Sequence, residues 1–281
     1  MMRSLYAGVS GLRNHQTRMD VIGNNIANVN TIGFKRNRVS FQDMLYQSIR
    51  GASAPAGTLG GTNPSQVGLG VNIATIDTIH TQGSTQTTGK MTDLMLQGDG
   101  FFVLADSAGN NPVYTRAGNF ELDAQGYLVN PANGMYVMNA NGARIFIDPD
   151  NNPQSLKIDT LGNVSYINGT TGNTVPAVLP DLNFQIRLAK FNNYSGLEKI
   201  GDNLYKETNN SGLVINTYAG DTVNPNGLVN TRITPGALEM SNVDLSQEFT
   251  DMIITQRGFQ ANSRIITVSD EMLQELVNLK R

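Results

Sequence analysis

Cysteine is missing altogether, and histidine occurs only twice, as His15 and His80. The first absence excludes disulfides and thiolate metal sites. The second leaves little for nucleophilic catalysis, which needs a histidine or cysteine held beside a nucleophile. His15 falls within a helical pattern, where a polar seam residue is its simplest role, and His80 in a linker. No cluster of His, Cys or carboxylates has the spacing of a zinc site. No catalytic residue, cofactor or metal is therefore expected. Long apolar runs are also missing: none reaches eighteen residues, so no membrane insertion is expected. The start, MMRSLYAGVSGLRNHQ, lacks the continuous apolar core of a secretory signal, so no cleaved signal peptide is expected.

Charge is scarce as well. Asp, Glu, Lys and Arg make up 15% of the chain, against roughly 25% in an ordinary soluble domain. Asn, Gly, Thr, Ser and Gln take their place. A polar, weakly charged surface repels its own copies little and suits self-association. The net charge of −3 argues against a nucleic-acid partner. The sign is uneven, however: residues 1–50 carry seven Lys/Arg against two acids, net +5, which leaves −8 for the rest. The basic group Lys35, Arg36 and Arg38 reads as a solvated or inter-subunit face.

Against these absences stands a strong periodic signal at both ends. In residues 241–281, Leu245, Met252, Phe259, Ile266 and Leu273 recur every seven residues without an intervening proline. Such a repeat keeps a narrow apolar stripe on one side of a long helix, and the stripe wants another helix. A helix of about 36 residues would be about 54 Å long, too long to bury in its own domain. Asp244 and Gln247 ahead of it match a capping box. In residues 3–30, Leu5, Leu12, Met19 and Ile26 repeat at the same interval. Ile22 and Val29 stand three residues on from Met19 and Ile26, while Gly8 and His15 take the earlier companion positions. This helix is expected to stop within GNNIANVNTIGFK, residues 23–35, because asparagine competes for backbone hydrogen bonds. Gly33 suits a left-handed cap and Phe34 a residue packing back on the helix. Asn24, Asn25 and Asn28 read as a face that bonds a neighbouring subunit, with Asn24 and Asn28 one helical turn apart.

Between the ends the character changes twice. Residues 36–50 predict a short extended piece and then a short helix, and residues 51–70, rich in Gly, Ala, Ser, Thr and Pro, predict a linker or an irregular arm. From residue 90 to residue 235, short runs of period two such as DLMLQ, GFFVLA, PVYTR, GYLVN, NVSYI and FQIRLAKF alternate with turn dipeptides, among them Asn133-Gly134, Asn141-Gly142 and Asn168-Gly169. The expected fold class is α+β. Residues 1–34 and 236–281 hold two long helices that pair in a coiled-coil-like terminal domain, 35–89 form a connecting arm, and 90–235 form an antiparallel all-β domain.

Three weaker motifs have plainer explanations. Asp148-Pro-Asp150-Asn-Asn152, with Asp159 at the twelfth position, lacks the glycine and the glutamate of a calcium loop and reads as a polar turn. Gly98-Asp-Gly100 precedes a strand pattern, where a dinucleotide fingerprint needs a helix. Paired carboxylates for glycoside hydrolysis are not legible in a sequence. A glycosidase, or a secreted β-rich binding protein, is the reading from another class, but neither needs heptads at both ends.

The residues also carry a family. GNNIANVNTIGFK, GDGFFVL at 98–104, YTRAGNF at 114–120, GLEKIGDNLYKET at 196–208 and ALEMSNVDLSQEFTDMIITQRGFQANSRIITVSDEMLQELVNLKR together resemble the axial proteins of the bacterial flagellum, the rod, hook and their relatives. The resemblance implies a structural subunit and no enzyme. Two members fit the length, the short hook form and the distal rod protein. The stretch IRGASAPAGTLGGTNPSQVGLGVNIATIDTIHTQGSTQ, the sequence GALEMSNVDLSQEFTDMI and the ending QELVNLKR resemble the hook form more. The resemblance then implies export unfolded through the flagellar type III apparatus and self-association into a helical tube, a short curved hook that joins rod to filament and transmits torque as a universal joint. It implies contacts with the distal rod, the hook cap and the hook-filament junction, in the extracellular flagellum. Its terminal helices would form the inner tube. Burying five stripe residues at ~1.5–3 kcal/mol each yields on the order of 10 kcal/mol, against about 4–15 kcal/mol lost on association. One such contact is marginal, and a tube in which every helix meets several neighbours is stable.

Overall fold

The computed structural model describes residues 2–55, 60–107, 109–149, 153–169, 174–176, 185–221, 228 and 230–279. Asp150 to Asn152 of the acidic turn and the terminal Lys280 and Arg281 lie outside the described residues. The fold is α+β, with one helix at each end and antiparallel strands between them. The chain divides into two units.

The helical unit contains residues 1–27, 37–79 and 244–281. Helix α1 runs Met2–Ala27, followed by strands β1 (Asn37–Asp43), β2 (Tyr46–Arg50), β3 (Ser65–Gly68) and β4 (Val71–Thr78), and then helix α2, Leu245–Asn278. At 34 residues, α2 is about 51 Å long. Its N-cap is Asp244, whose carboxylate accepts from Ser246 N at 2.9 Å and Gln247 N at 3.4 Å, satisfying donors that the first turn leaves open. The strands form an antiparallel ribbon, β1 on β4 and β2 on β3. The helix expected near residues 44–50 is a strand instead. The partner of Tyr46 is Gly68 and that of Gln47 is Val67, a pairing outside the reach of any local pattern. The stretch that composition marks as a connecting arm thus supplies most of this ribbon.

The β unit contains residues 28–36 and 80–243. Among the described residues its main sheet has nine strands. Phe101–Ala105 is central, pairing with Val113–Thr115, Tyr136–Val137 and Leu188–Lys190. All five residues of FFVLA are buried. Side chains alternate across a strand: Phe102 and Leu104 join a core with Leu94, Phe120, Leu128 and Ile186, while Phe101, Val103 and Ala105 join a second core with Tyr114, Phe191 and Tyr205. A sheet covered on both faces explains a continuous apolar run where a one-sided sheet would alternate. Gly98 and Gly100, at φ 113° and 115°, turn the chain into this strand. Pro153–Ile158, Val164–Asn168 and Thr174–Pro176 form a separate three-stranded sheet.

Candidate assembly interface

The two heptad helices meet each other, and they run antiparallel. Close contacts climb α1 while descending α2: Gly8 against Ile266, Gly11 against Asn262, His15 against Gly258, Arg18 against Asp251 at 3.1 Å and Asn25 Nδ2 against Glu248 Oε2 at 3.2 Å. Glycine sets the separation. A Cβ on Gly11 would lie 2.7 Å from the Asn262 amide, and one on Gly258 would lie 2.8 Å from the His15 ring. The backbones therefore approach more closely than a seam of large residues permits.

That approach changes which residues are deepest. Leu245 is exposed, and Met252, Phe259, Ile266 and Leu273 are half-buried. The fully buried positions of α2 are Glu248, Thr255 and Ser269, each three residues beyond a stripe position, with half-buried Asn262 completing the row. Thr255 Oγ1 and Ser269 Oγ donate to the carbonyls of Asp251 and Ile265, each at 2.7 Å, so neither hydroxyl is left unsatisfied. On α1, Ile22 is buried, and Leu5, Leu12, Met19 and Ile26 are half-buried. The seven-residue period of Glu248, Thr255, Asn262 and Ser269 was in the sequence, but apolarity hides a row made of polar and small residues.

The asparagines separate. Asn25 is 1% exposed. Its amide donates to Asn37 O at 2.8 Å and to Glu248, and accepts from Asn37 N at 3.0 Å. Its hydrogen bonds are thus made within this chain, in place of the neighbouring subunit that the sequence suggested. Asn24 is exposed on α1. Asn28 lies past the end of α1, in the β unit, where its Oδ1 accepts from Thr31 Oγ1 at 3.0 Å. It does not share a helical face with Asn24, because the helix stops at Ala27.

Val29, Gly33 and Phe34 also belong to the β unit. Val29 is half-buried. Gly33 has φ +69°, and a Cβ there would meet Ala117 N at 2.7 Å. Conformation and space both demand glycine. Its N–H donates to Glu239 O at 2.8 Å. Phe34 is buried beneath the Lys199 ammonium, 5.0 Å from the ring centre.

Next to them lies a feature the sequence did not signal. Lys35, read above as part of a solvated or inter-subunit basic face, is wholly buried. Its Nζ donates to Glu239 Oε1 at 2.5 Å and to Thr81 O at 2.8 Å. Glu239 is equally buried and also accepts from Arg116 Nη1 at 3.3 Å and Gly83 N at 2.9 Å. Arg116 donates on to Gly98 O at 2.6 Å. Two cations thus share one carboxylate inside the β unit. Burial pulls the Lys35 ammonium below its usual range, Glu239 opposes that and Arg116 adds to it. Of the rest of the basic group, Arg38 is exposed, 3.8 Å from Asp77.

Three family models match the chain: "Flagella basal body rod protein" over residues 5–35, "Flagellar hook protein FlgE/F/G D1 domain" over 95–166, and "Flagellar basal body rod FlgEFG protein C-terminal" over 234–279. The flagellar basal-body rod protein FlgG of Bacillus subtilis (strain 168) is 51% identical over 281 positions, covering 100% of each chain. This chain belongs to the flagellar rod and hook axial protein family. The flagellar hook protein FlgE of Borreliella burgdorferi is 36% identical over 450 positions, again covering 100% of each chain. FlgG of Buchnera aphidicola subsp. Acyrthosiphon pisum is 39% identical over 281 positions, covering 99% of this chain and 100% of its own.

The family matches give the buried triad a context. Lys35, Arg116 and Glu239 fall one in each of the three matched segments. In this axial protein, then, one buried carboxylate ties together three stretches that are distant in sequence.

His80 lies beside the triad, its ring 5.8 Å from Phe101 and 5.7 Å from Tyr205. Burial, then Lys35, Lys199 and Arg116, push its pKa down to about 4. A histidine held neutral in the folded state stabilises fully above its unfolded pKa near 6.5, and that contribution is lost as pH falls towards 4. Urea unfolding of the full chain at pH 7 and pH 4.5 is expected to differ by up to about 2.4 kcal/mol more in the parent than in His80→Phe. Equal pH dependence in the two would remove His80 from this account.

Proposed function

We propose that this chain is a structural subunit of the distal flagellar rod, which associates with its own copies and with neighbouring axial proteins in a helical tube. The observation that carries the rod reading is alignment length. Rod relatives align over 281 positions, the length of this chain, whereas the FlgE hook relatives need 450 and 472. This replaces the hook preference drawn from the sequence. GDGFFVL and the C-terminal motif lie in segments whose models name FlgE, FlgF and FlgG together, and the N-terminal motif lies in a segment matched by a rod model. Of the stretches that favoured the hook, 49–86 lies outside all three, and the C-terminal ones lie largely within a segment whose model names rod and hook members together.

Self-association is supported by surface that the helical unit leaves uncovered. Leu45, Ile49 and Tyr46 on the ribbon are 80%, 65% and 55% exposed. A two-stranded ribbon is marginal in water without something to pack on. On α2, Ile254, Ala261, Ile265, Val268, Met272 and Leu276 follow a second heptad-like spacing and are all exposed. Apolar surface of that extent marks an interaction site. Met252, Phe259, Ile266 and Leu273 are half-buried beside the intrachain seam, and in the tube their outer edges would meet neighbours.

Electron microscopy of polymers grown from the purified chain tests the reading. Straight, rigid segments are expected. Curved tubes would return the chain to the hook side of the family.

A further inference from the structure

A cleft of about 280 Å³ opens on the β unit, lined by Val103, Met138, Tyr114, Arg187, Glu207 and Asn216 among others. Nothing in the assembly reading uses it. Three of its polar groups, Tyr114, half-buried Arg187 and exposed Glu207, line it without bonding one another. Tyr114 is 1% exposed, with its ring edge-on to Phe191 at a centroid distance of 4.8 Å. Its hydroxyl nevertheless makes no hydrogen bond to any described residue. The hydroxyl lines the cleft, where a ligand's acceptor can reach it. Arg187 donates from Nε to Asn216 Oδ1 at 3.0 Å. That bond fixes the guanidinium fork, and no carboxylate among the described residues completes it. Glu207 lines the same cleft without an ion pair to Arg187 or to any other described cation. Two opposite charges thus share a small cleft and remain apart.

We propose that this cleft binds a small zwitterion, a free amino acid or a dipeptide, with its carboxylate on Arg187 and Tyr114 and its ammonium on Glu207. The chemistry of each group fits that orientation. A guanidinium with a tethered Nε keeps donors free for a carboxylate, its best-matched partner. Burial raises the Tyr114 pKa to about 12, so its hydroxyl keeps the proton that it donates. Val103 and Met138 supply an apolar floor for a short side chain. The volume lies just below the range for drug-sized ligands, roughly 300–1,000 Å³, which limits the occupant to one or two residues. A ligand with only one charge would leave either Arg187 or Glu207 unpaired.

The test uses the full-length chain and three probes: alanyl-alanine, its N-acetyl form and its C-terminal amide. Binding is read by saturation-transfer NMR and calorimetry. Alanyl-alanine is expected to bind, and each cap to weaken it by about tenfold, the equivalent of one lost charge-assisted contact. Tyr114→Phe is expected to weaken binding by a similar factor while leaving urea unfolding unchanged, because the hydroxyl has no partner in the fold. Glu207→Gln is expected to weaken alanyl-alanine and not the N-acetyl form. Absence of saturation transfer, equal binding of all three probes, or full affinity in both variants would overturn the proposal.

Discussion

Glu239→Ala is expected to lower the stability of the β unit by about 3–5 kcal/mol, the range for removing one partner of a buried ion pair. The reason is the imbalance of the triad. Without Glu239, Lys35 keeps only the Thr81 carbonyl, and Arg116 keeps the carbonyls of Gly98 and Leu96. Two cations would then sit in a low-dielectric interior with no negative charge beside them. Lys35→Met should cost less, because Glu239 retains Arg116 and the Gly83 N–H. The triple change Lys35→Met, Arg116→Met, Glu239→Leu should recover much of the loss, since apolar residues of similar volume often replace buried ion networks without penalty. Urea unfolding of the full chain orders the three variants. If Glu239→Ala unfolds at the parent's midpoint, the triad does not hold the β unit together.

The second large effect is expected on polymerisation, with the monomer unchanged. Ile254→Asp with Val268→Asp places two charges on the exposed face of α2. Losing the burial of two such side chains, at ~1.5–3 kcal/mol each, should raise the critical concentration for assembly by more than about a hundredfold. Both positions are half or more exposed in the single chain, so its unfolding free energy should move by no more than about 0.5 kcal/mol. Sedimentation and light scattering measure assembly, and urea unfolding measures the monomer. Gly258→Val gives the opposite pattern: the added side chain strikes His15 inside the helix pair, and the monomer itself should lose helix. If the double aspartate variant polymerises at the parent's critical concentration, the exposed stripe is not an interface.

How far the chain can be read without coordinates differs from element to element. Phe101–Ala105 was legible as a strand because its five apolar residues are short and follow a glycine turn. The division of those five side chains between two cores depends on what covers each face. The ribbon was half legible. Val71 and Ile73 flank Asn72 with the period of a strand, and β4 forms there. Residues 46–50 do not alternate, and only their pairing with 65–68 makes them a strand. The candidate interface shows the same limit. Heptads mark a helix that seeks a partner, but an apolar template cannot weigh Gly8, Gly11 and Gly258, whose contribution is the side chain they lack.

Periodicity and capping alone therefore dictated two long terminal helices, their mutual need and the start of α2 at Asp244, because those features depend on residues a few positions apart. The resemblance of the motifs placed the chain among axial proteins. Tertiary packing decided that the helices run antiparallel through a seam of glycine, threonine and serine, and that the leucine-type stripe lies beside that seam. It also made Lys35 a buried cation and Asn25 an internal tie. Each of those outcomes depends on a partner more than two hundred residues away for Lys35 and Asn25, a distance at which local pattern carries no information and only the folded chain brings the groups together.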